Sequence, residues 1–109
     1  MTASPIPPTA VVRVSPATFD PARFPEVQEM TVATSHYLIP AIKKLPGLIS
    51  YYAGVSPDGS AVHVSVWESD EHAQQMSRLK EMIVDARQDA EKAGATFSPI
   101  INYPIDWTI

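Results

Sequence analysis

The chain has 109 residues and no cysteine, and its 45% hydrophobic content is ordinary for one globular domain with a modest core. Its net charge is -4 with the basic residues scattered, which argues against nucleic acid as a partner. The lack of cysteine excludes disulfides and thiolate chemistry and suits a cytoplasmic location, and no apolar run approaches the ~20 residues of a membrane helix.

The first half of the chain predicts an arm, a strand and a helix. Residues 1–9, MTASPIPPT, are rich in proline and lack the pattern of a signal peptide, so we expect a flexible arm before a single domain over residues 10–109. AVVRVS (10–15) is short and β-branched, which predicts strand one. From Phe24 to Lys44 apolar residues recur every three or four positions, which predicts an amphipathic helix with a kink at Pro40.

The second half predicts a hairpin, a helix and a last strand. LISYYAGV (48–55) and AVHVSVWE (61–68) flank the turn sequence SPDGS. Ser69 caps a second helix that continues to Gly94. SPIINYPIDWTI (98–109) predicts an edge strand, because Pro99 and Pro104 have no N–H for a neighbouring strand.

This element order is that of the ferredoxin-like α+β fold, a βαββαβ chain with a four-stranded antiparallel sheet and two helices on one face. Strand three is apolar on both of its faces, with Val62, Val64 and Val66 on one and Ala61 and Trp67 on the other. Only one face can pack against the helices, so the other face predicts a homodimer formed by packing sheet against sheet.

The segment PAIKKLPGLISYYAGVSPDGSAVHVSVWESDEHAQQM (40–76) resembles the antibiotic biosynthesis monooxygenase-like family of dimeric α/β barrels. The matching features are the proline in helix one, LPG before strand two, the Asp-Gly turn, and VWES before helix two. The resemblance covers residues 10–109. It implies two sheets packed face to face in a dimer and a small-molecule pocket in each subunit. The family includes haem-degrading enzymes, quinone-forming monooxygenases and isomerase-like relatives.

The resemblance does not extend to haem. In the haem-degrading branch a tryptophan at the WES position lines the pocket, and it corresponds to Trp67. That branch also uses an asparagine on strand one and a histidine on helix two, whereas strand one here is AVVRVS and helix two has only His72, at its start. The sequence also lacks a glycine-rich phosphate loop and metal-ligand spacing, so we expect no cofactor and no metal.

His63 is the candidate catalytic residue. Strand alternation places it and Ser65 on the same side as Trp67. A neutral imidazole can accept a phenolic proton, although a histidine at this position can equally be a hydrogen-bonded core residue. The substrate-binding candidates are aromatic residues and one small polar residue on the predicted elements: Trp67, Tyr51, Tyr37, Ser65 and Tyr103.

Most of these binding candidates also have a plain packing interpretation. Trp67 can stack on a flat substrate or fill the core. Tyr51 and Tyr52 point to opposite faces, and the turn does not fix which of them reaches the pocket. Tyr103 on the last strand can likewise face either the pocket or the opposite side of the sheet. Arg87 either holds an anionic substrate or pairs with a neighbouring carboxylate.

The resemblance, with His63 as a candidate base, implies a cofactor-independent monooxygenase acting on a small aromatic or polyphenolic molecule. The alternatives are a non-catalytic dimer that binds a small ligand or serves as an accessory protein, and an isomerase or cyclase that uses the same pocket.

Overall fold

The computed structural model describes residues 6–109 of the protein. The first five residues of the predicted arm lie outside this range. At the described end of the arm, the Thr9 hydroxyl donates a hydrogen bond to the backbone carbonyl of Glu68 at 2.6 Å. Ala10, which follows, is already buried. The last residues of the arm therefore contact the domain.

The first part of the chain contains three strands and one long helix. Strand β1 spans Val11–Thr18, helix α1 Phe24–Lys43, β2 Leu48–Ser56 and β3 Ser60–Trp67. A 3-10 turn, Pro21–Arg23, precedes α1, and the Asp20 carboxylate accepts a hydrogen bond from the Ala22 N–H at its start. Gly47, with φ +85°, turns the chain from α1 into β2. The predicted strands, hairpin and first helix are all present.

The second part of the chain contains short elements. They are α2 (Asp70–Ala73), a 3-10 segment (Gln74–Arg78), a π-helical segment (Glu81–Ala86), α3 (Arg87–Lys92), β4 (Thr96–Phe97) and β5 (Ile101–Pro104). All strand pairs are antiparallel; the order across the sheet is β2, β3, β1, and both β4 and β5 pair with the outer edge of β1. This is the ferredoxin-like arrangement that the sequence predicts.

The C-terminal part of the sheet consists of two short strands, where the sequence predicts one strand. β4 pairs with Ala17 and Thr18, and β5 pairs with Val11–Val14, so the sheet has five strands and not four. Residues 98–100 separate the two pieces, and Pro99 among them has no N–H to donate to β1. The prediction of one strand over 98–109 is therefore wrong in its bounds: within that range only Ile101–Pro104 form a strand, and β4 lies before it.

The second predicted helix is also interrupted. Leu79 is extended, with ψ 112°, and ends the 3-10 segment. The helix resumes with a π-helical turn over Glu81–Ala86 before the regular α3. The residues from 70 to 93 include no proline or glycine that would signal this break. The prediction of one continuous helix from Ser69 to Gly94 is therefore wrong, and the irregular part borders a cavity between the sheet and the helices.

The two faces of the sheet have different surroundings. The face toward the helices holds the main core, in which Val11, Trp67, Leu38, Ile42 and Met76 are buried. The opposite face, which we call the open face, carries alternate residues of the same strands: Val12, Val14, Tyr52, Val62, Val64, Val66, Ile101 and Tyr103. Within residues 6–109, no helix is long and apolar enough to cross a membrane.

Candidate functional site

A cavity of about 210 Å³ lies between the helix-facing side of the sheet and the helices. The sheet contributes polar side chains to its wall, and the helices contribute mainly apolar ones. The lining residues that matter here are Arg13, Ser15, Tyr51, His63 and Ser65 from the strands, and Thr34, Leu38, Met76, Ser77 and Met82 from the helices and the segments between them.

Strand register decides which side chains meet at the cavity floor. Ser65 on β3 lies opposite Tyr51 on β2 and opposite Arg13 on β1. His63, two residues earlier, lies opposite Ser15. Because side chains alternate along a strand, these residues share the helix-facing side. The register therefore assigns Tyr51 to the cavity and leaves Tyr52, which is 65% exposed, on the open face.

Tyr51 and His63 form a hydrogen-bonded pair in the cavity wall. The Tyr51 hydroxyl lies 2.6 Å from His63 Nδ1, and the two rings are nearly perpendicular. Burial lowers the pKa of His63 below its ordinary 6.5, so the imidazole is neutral at pH 7. Burial also raises the pKa of Tyr51, against the opposing effect of the Arg13 charge, so the phenol is neutral as well. With Nδ1 engaged by Tyr51, Nε2 is the imidazole nitrogen left for a ligand.

Ser65 and Trp67 form a second pair behind this wall. The Trp67 indole N–H donates to Ser65 Oγ at 2.8 Å. Ser65 lines the cavity, whereas Trp67 is completely buried among the core side chains of α1 and the 3-10 segment. The expected stacking of Trp67 on a ligand does not fit this position. Trp67 instead fixes the Ser65 hydroxyl and supports the cavity floor.

Tyr37 and Tyr103 lie away from the cavity. The Tyr37 hydroxyl donates to Asp89 Oδ2 at 2.7 Å and thereby joins α1 to α3. Tyr103 is on the open face, opposite Val12, and is half exposed. The sequence-based expectation that these two tyrosines bind substrate does not fit where the structure places them. Of the six candidate residues, His63, Tyr51 and Ser65 come together at the cavity.

Arg13 is a cavity residue that the sequence reasoning missed. It is 7% exposed, and its guanidinium donates to Asn102 Oδ1 at 3.3 Å and to Ser77 Oγ at 3.2 Å. Burial lowers the pKa of Arg13, while Tyr51 and Asp70 favour its charged form. Alternation places Arg13 on the same face of β1 as Val11, but Val12 and Val14 make the other face at least as apolar, so the sequence alone does not show that Arg13 points inward.

Arg87 lies at the edge of the cavity and is paired. Its Nε is 3.7 Å from Glu91, and its guanidinium lies 4.7 Å from the centroid of the Phe97 ring. Asp85, another carboxylate close to Arg87 in sequence, pairs with Lys80 instead. Within residues 6–109, no cluster of histidine, aspartate and glutamate side chains is arranged to hold a metal ion.

Neither a family profile nor a curated protein matches this sequence. Several solved structures, however, are similar to this structure. SnoaB, a cofactor-independent oxygenase from Streptomyces nogalater, is 18% identical and superposes with a TM-score of 0.59 over 93% of this chain and 97% of its own. The monooxygenase from the gene ActVA-Orf6 of Streptomyces coelicolor, in complex with Nanaomycin D, is 18% identical with a TM-score of 0.69, over 93% and 91% of the two chains.

A third structure has the same fold without a named activity. A dimeric ferredoxin-like protein from an uncultured marine organism is 15% identical, with a TM-score of 0.69 over 93% of this chain and 91% of its own. At such identities these likenesses establish the fold alone. They confirm the fold that the resemblance of residues 40–76 implies, and this chain therefore has the ferredoxin-like fold that the two oxygenases also adopt.

Proposed function

We propose that this protein is a cofactor-independent monooxygenase that acts on a small aromatic molecule carrying a phenolic hydroxyl. The observation that carries the proposal is the neutral Tyr51–His63 pair in the wall of a largely apolar cavity. A neutral histidine held by a second group is the usual form of a general base at pH 7. The two oxygenases of the same fold support the reaction class.

The size of the cavity limits the substrate. An apolar cavity of roughly 150 Å³ holds one benzene molecule. The cavity here, at about 210 Å³, is somewhat larger and suits a two-ring compound. A naphthol is the simplest molecule that combines this size with an ionisable hydroxyl, and Leu38, Met76 and Met82 provide apolar contacts for its rings.

The proposed reaction is the oxidation of a ring C–H para to the hydroxyl, and 1-naphthol illustrates it. His63 Nε2 accepts the phenolic proton while Nδ1–H donates to the Tyr51 oxygen. The naphtholate transfers one electron to O₂, and the resulting radical and superoxide combine into a C–O bond at the para carbon. His63 returns its proton to the peroxide. Loss of the para C–H proton then breaks the O–O bond, giving 1,4-naphthoquinone and water. The substrate gives up four electrons and O₂ accepts four, so no other reductant is needed.

The open face supports a second part of the proposal, a homodimer formed by packing sheet against sheet. Val62, Val64 and Val66 of β3 form an apolar row on this face, next to Val12 and Val14 of β1. A face of this composition on a small domain is typical of an interface. The dimeric ferredoxin-like protein of the same fold supports this arrangement.

The test is oxygen uptake by metal-free protein with 1-naphthol and with a larger anthrone, without added cofactor. We expect uptake above the spontaneous rate with 1-naphthol, with one quinone formed for each O₂ consumed. Uptake at the spontaneous rate for both compounds, together with measurable binding, would contradict the proposal and favour a ligand-binding protein. Conversion of the substrate without oxygen consumption would favour an isomerase.

A further inference from the structure

The charged side chains that line the cavity are all basic. Two arginines, Arg13 and Arg87, line the cavity, and among the residues 6–109 no aspartate or glutamate does. This is unusual for a chain whose acidic residues outnumber its basic ones and whose net charge is -4. A cavity with positive charge and largely apolar walls attracts an organic anion.

Arg13 is the buried member of this pair, and its direct partners are neutral. Its hydrogen bonds go to the amide oxygen of Asn102 and the hydroxyl of Ser77. The ion pairs found in the described part of the chain involve other cations, and Arg87 has Glu91 beside it. The carboxylate of Asp70 favours the charge of Arg13 without being one of its hydrogen-bond partners, and it accepts a hydrogen bond of 3.0 Å from the amide N–H₂ of Asn102.

Burying a cation without a contacting anion is costly, and proteins generally pair such charges. A structural link between sheet and helix would need only a neutral donor at this position, such as glutamine. Arg13 also lies two strands away from Tyr51, with Ser65 between them in the same cross-strand row. A negative group bound at Arg13 would therefore share the cavity with the Tyr51–His63 pair.

We propose that Arg13 binds an anionic oxygen on the ligand, so that the ligand of this cavity is a ring compound carrying either a carboxylate or a phenol that ionises on binding. The proposal rests on the proposed function only in taking this cavity as the ligand site; it does not require turnover. Arg13 presents a planar fork of N–H donors, which suits two-point binding of a carboxylate or a single bond to a phenolate.

Calorimetric titration of the full chain with 2-naphthoate and its uncharged analogue 2-naphthamide, without oxygen, tests this. We expect the wild-type protein to bind naphthoate about tenfold or more tightly than the amide. Arg13→Met should remove this preference, and Arg13→Lys should retain part of it. Arg78→Met is the matched control, because Arg78 is exposed and does not line the cavity, and it should leave both affinities unchanged.

Equal binding of the two probes by the wild-type protein would overturn the proposal, and this comparison holds even if Arg13→Met does not fold. A naphthoate preference that survives Arg13→Met would overturn it as well. Titration with 2-naphthol separates the two sources of negative charge. Absorbance of naphtholate at a pH below the solution pKa of 2-naphthol supports a phenol that ionises on binding. Absence of this absorbance, together with tight binding of naphthoate, supports a permanent carboxylate on the ligand. Since no oxygen is present, these results are independent of whether the monooxygenase proposal holds.

Discussion

The Tyr51 hydroxyl and His63 Nδ1 lie 2.6 Å apart, and neither group carries a charge at pH 7. Two neutral arrangements of the proton fit this distance. Either the phenol donates to Nδ1 and Nε2–H is a donor toward the cavity, or Nδ1–H donates to the phenol oxygen and Nε2 is a base. The second arrangement leaves the Tyr51 hydroxyl proton free for a substrate oxygen.

Replacement of His63 by alanine removes the proposed base. Turnover of 1-naphthol should fall by on the order of 10²-fold, because general base catalysis contributes about that much. Oxygen consumption at saturating substrate measures the change. The control is His36→Ala, since His36 is exposed on α1 and does not line the cavity. Equal rates for the wild-type protein and His63→Ala would remove His63 from the mechanism.

The burial of His63 predicts a pH dependence of stability. Its folded pKa is lower than its ordinary 6.5, so the unfolded chain takes up the proton first as the pH falls. Stability is therefore complete above the unfolded pKa and decreases as the pH falls through the folded one. Between about pH 7.5 and pH 5.5 the Tm of the wild-type protein should fall more than that of His63→Gln.

Carboxylates with lowered pKa values do not add to the change of Tm between about pH 7.5 and pH 5.5. The pKa values of Glu26, Asp58 and Asp70 are lowered by their hydrogen-bond partners, so these groups stay ionised throughout this pH range. Thermal unfolding followed by circular dichroism at each pH is the measurement. Parallel Tm curves for the wild-type protein and His63→Gln would contradict the prediction.

Trp67 should matter mainly for stability. It is completely buried and donates a hydrogen bond to Ser65, so Trp67→Ala should cost about 3–5 kcal/mol in the free energy of unfolding. Urea denaturation measures this cost. Trp107→Ala is the matched control, because Trp107 is 77% exposed and its loss should change stability little. Similar costs for both tryptophans would place Trp67 outside the core.

The open face should hold the dimer together. Val64 lies on this face between Val14 on β1 and Tyr52 on β2, away from the cavity. Val64→Glu would bury a carboxylate in the interface and should convert the dimer into a monomer, as measured by light scattering after size exclusion. Val32→Glu on the 63% exposed outer side of α1 should leave the mass unchanged. A wild-type monomer at micromolar concentration would contradict the dimer.

Local pattern determined the first helix, the hairpin and the faces of the strands. Apolar residues at helical spacing predicted α1, and the Pro-Asp-Gly turn between two β-branched runs predicted the β2–β3 hairpin. Alternation along β3 is enough to place His63, Ser65 and Trp67 on one side of the sheet. These features depend on neighbouring residues, so the sequence alone reveals them.

Only the tertiary structure decided which inward residues reach the cavity and which are enclosed in the core. Trp67 and Ser65 share a face, yet Trp67 is covered by the core side chains of the helices while Ser65 stays at the cavity wall. Arg13 gains its role from Ser77 and Asn102, which are 64 and 89 residues away in sequence. Alternation assigns a side chain to a face, but contact and burial depend on how distant elements pack over that face, and no local pattern encodes that packing.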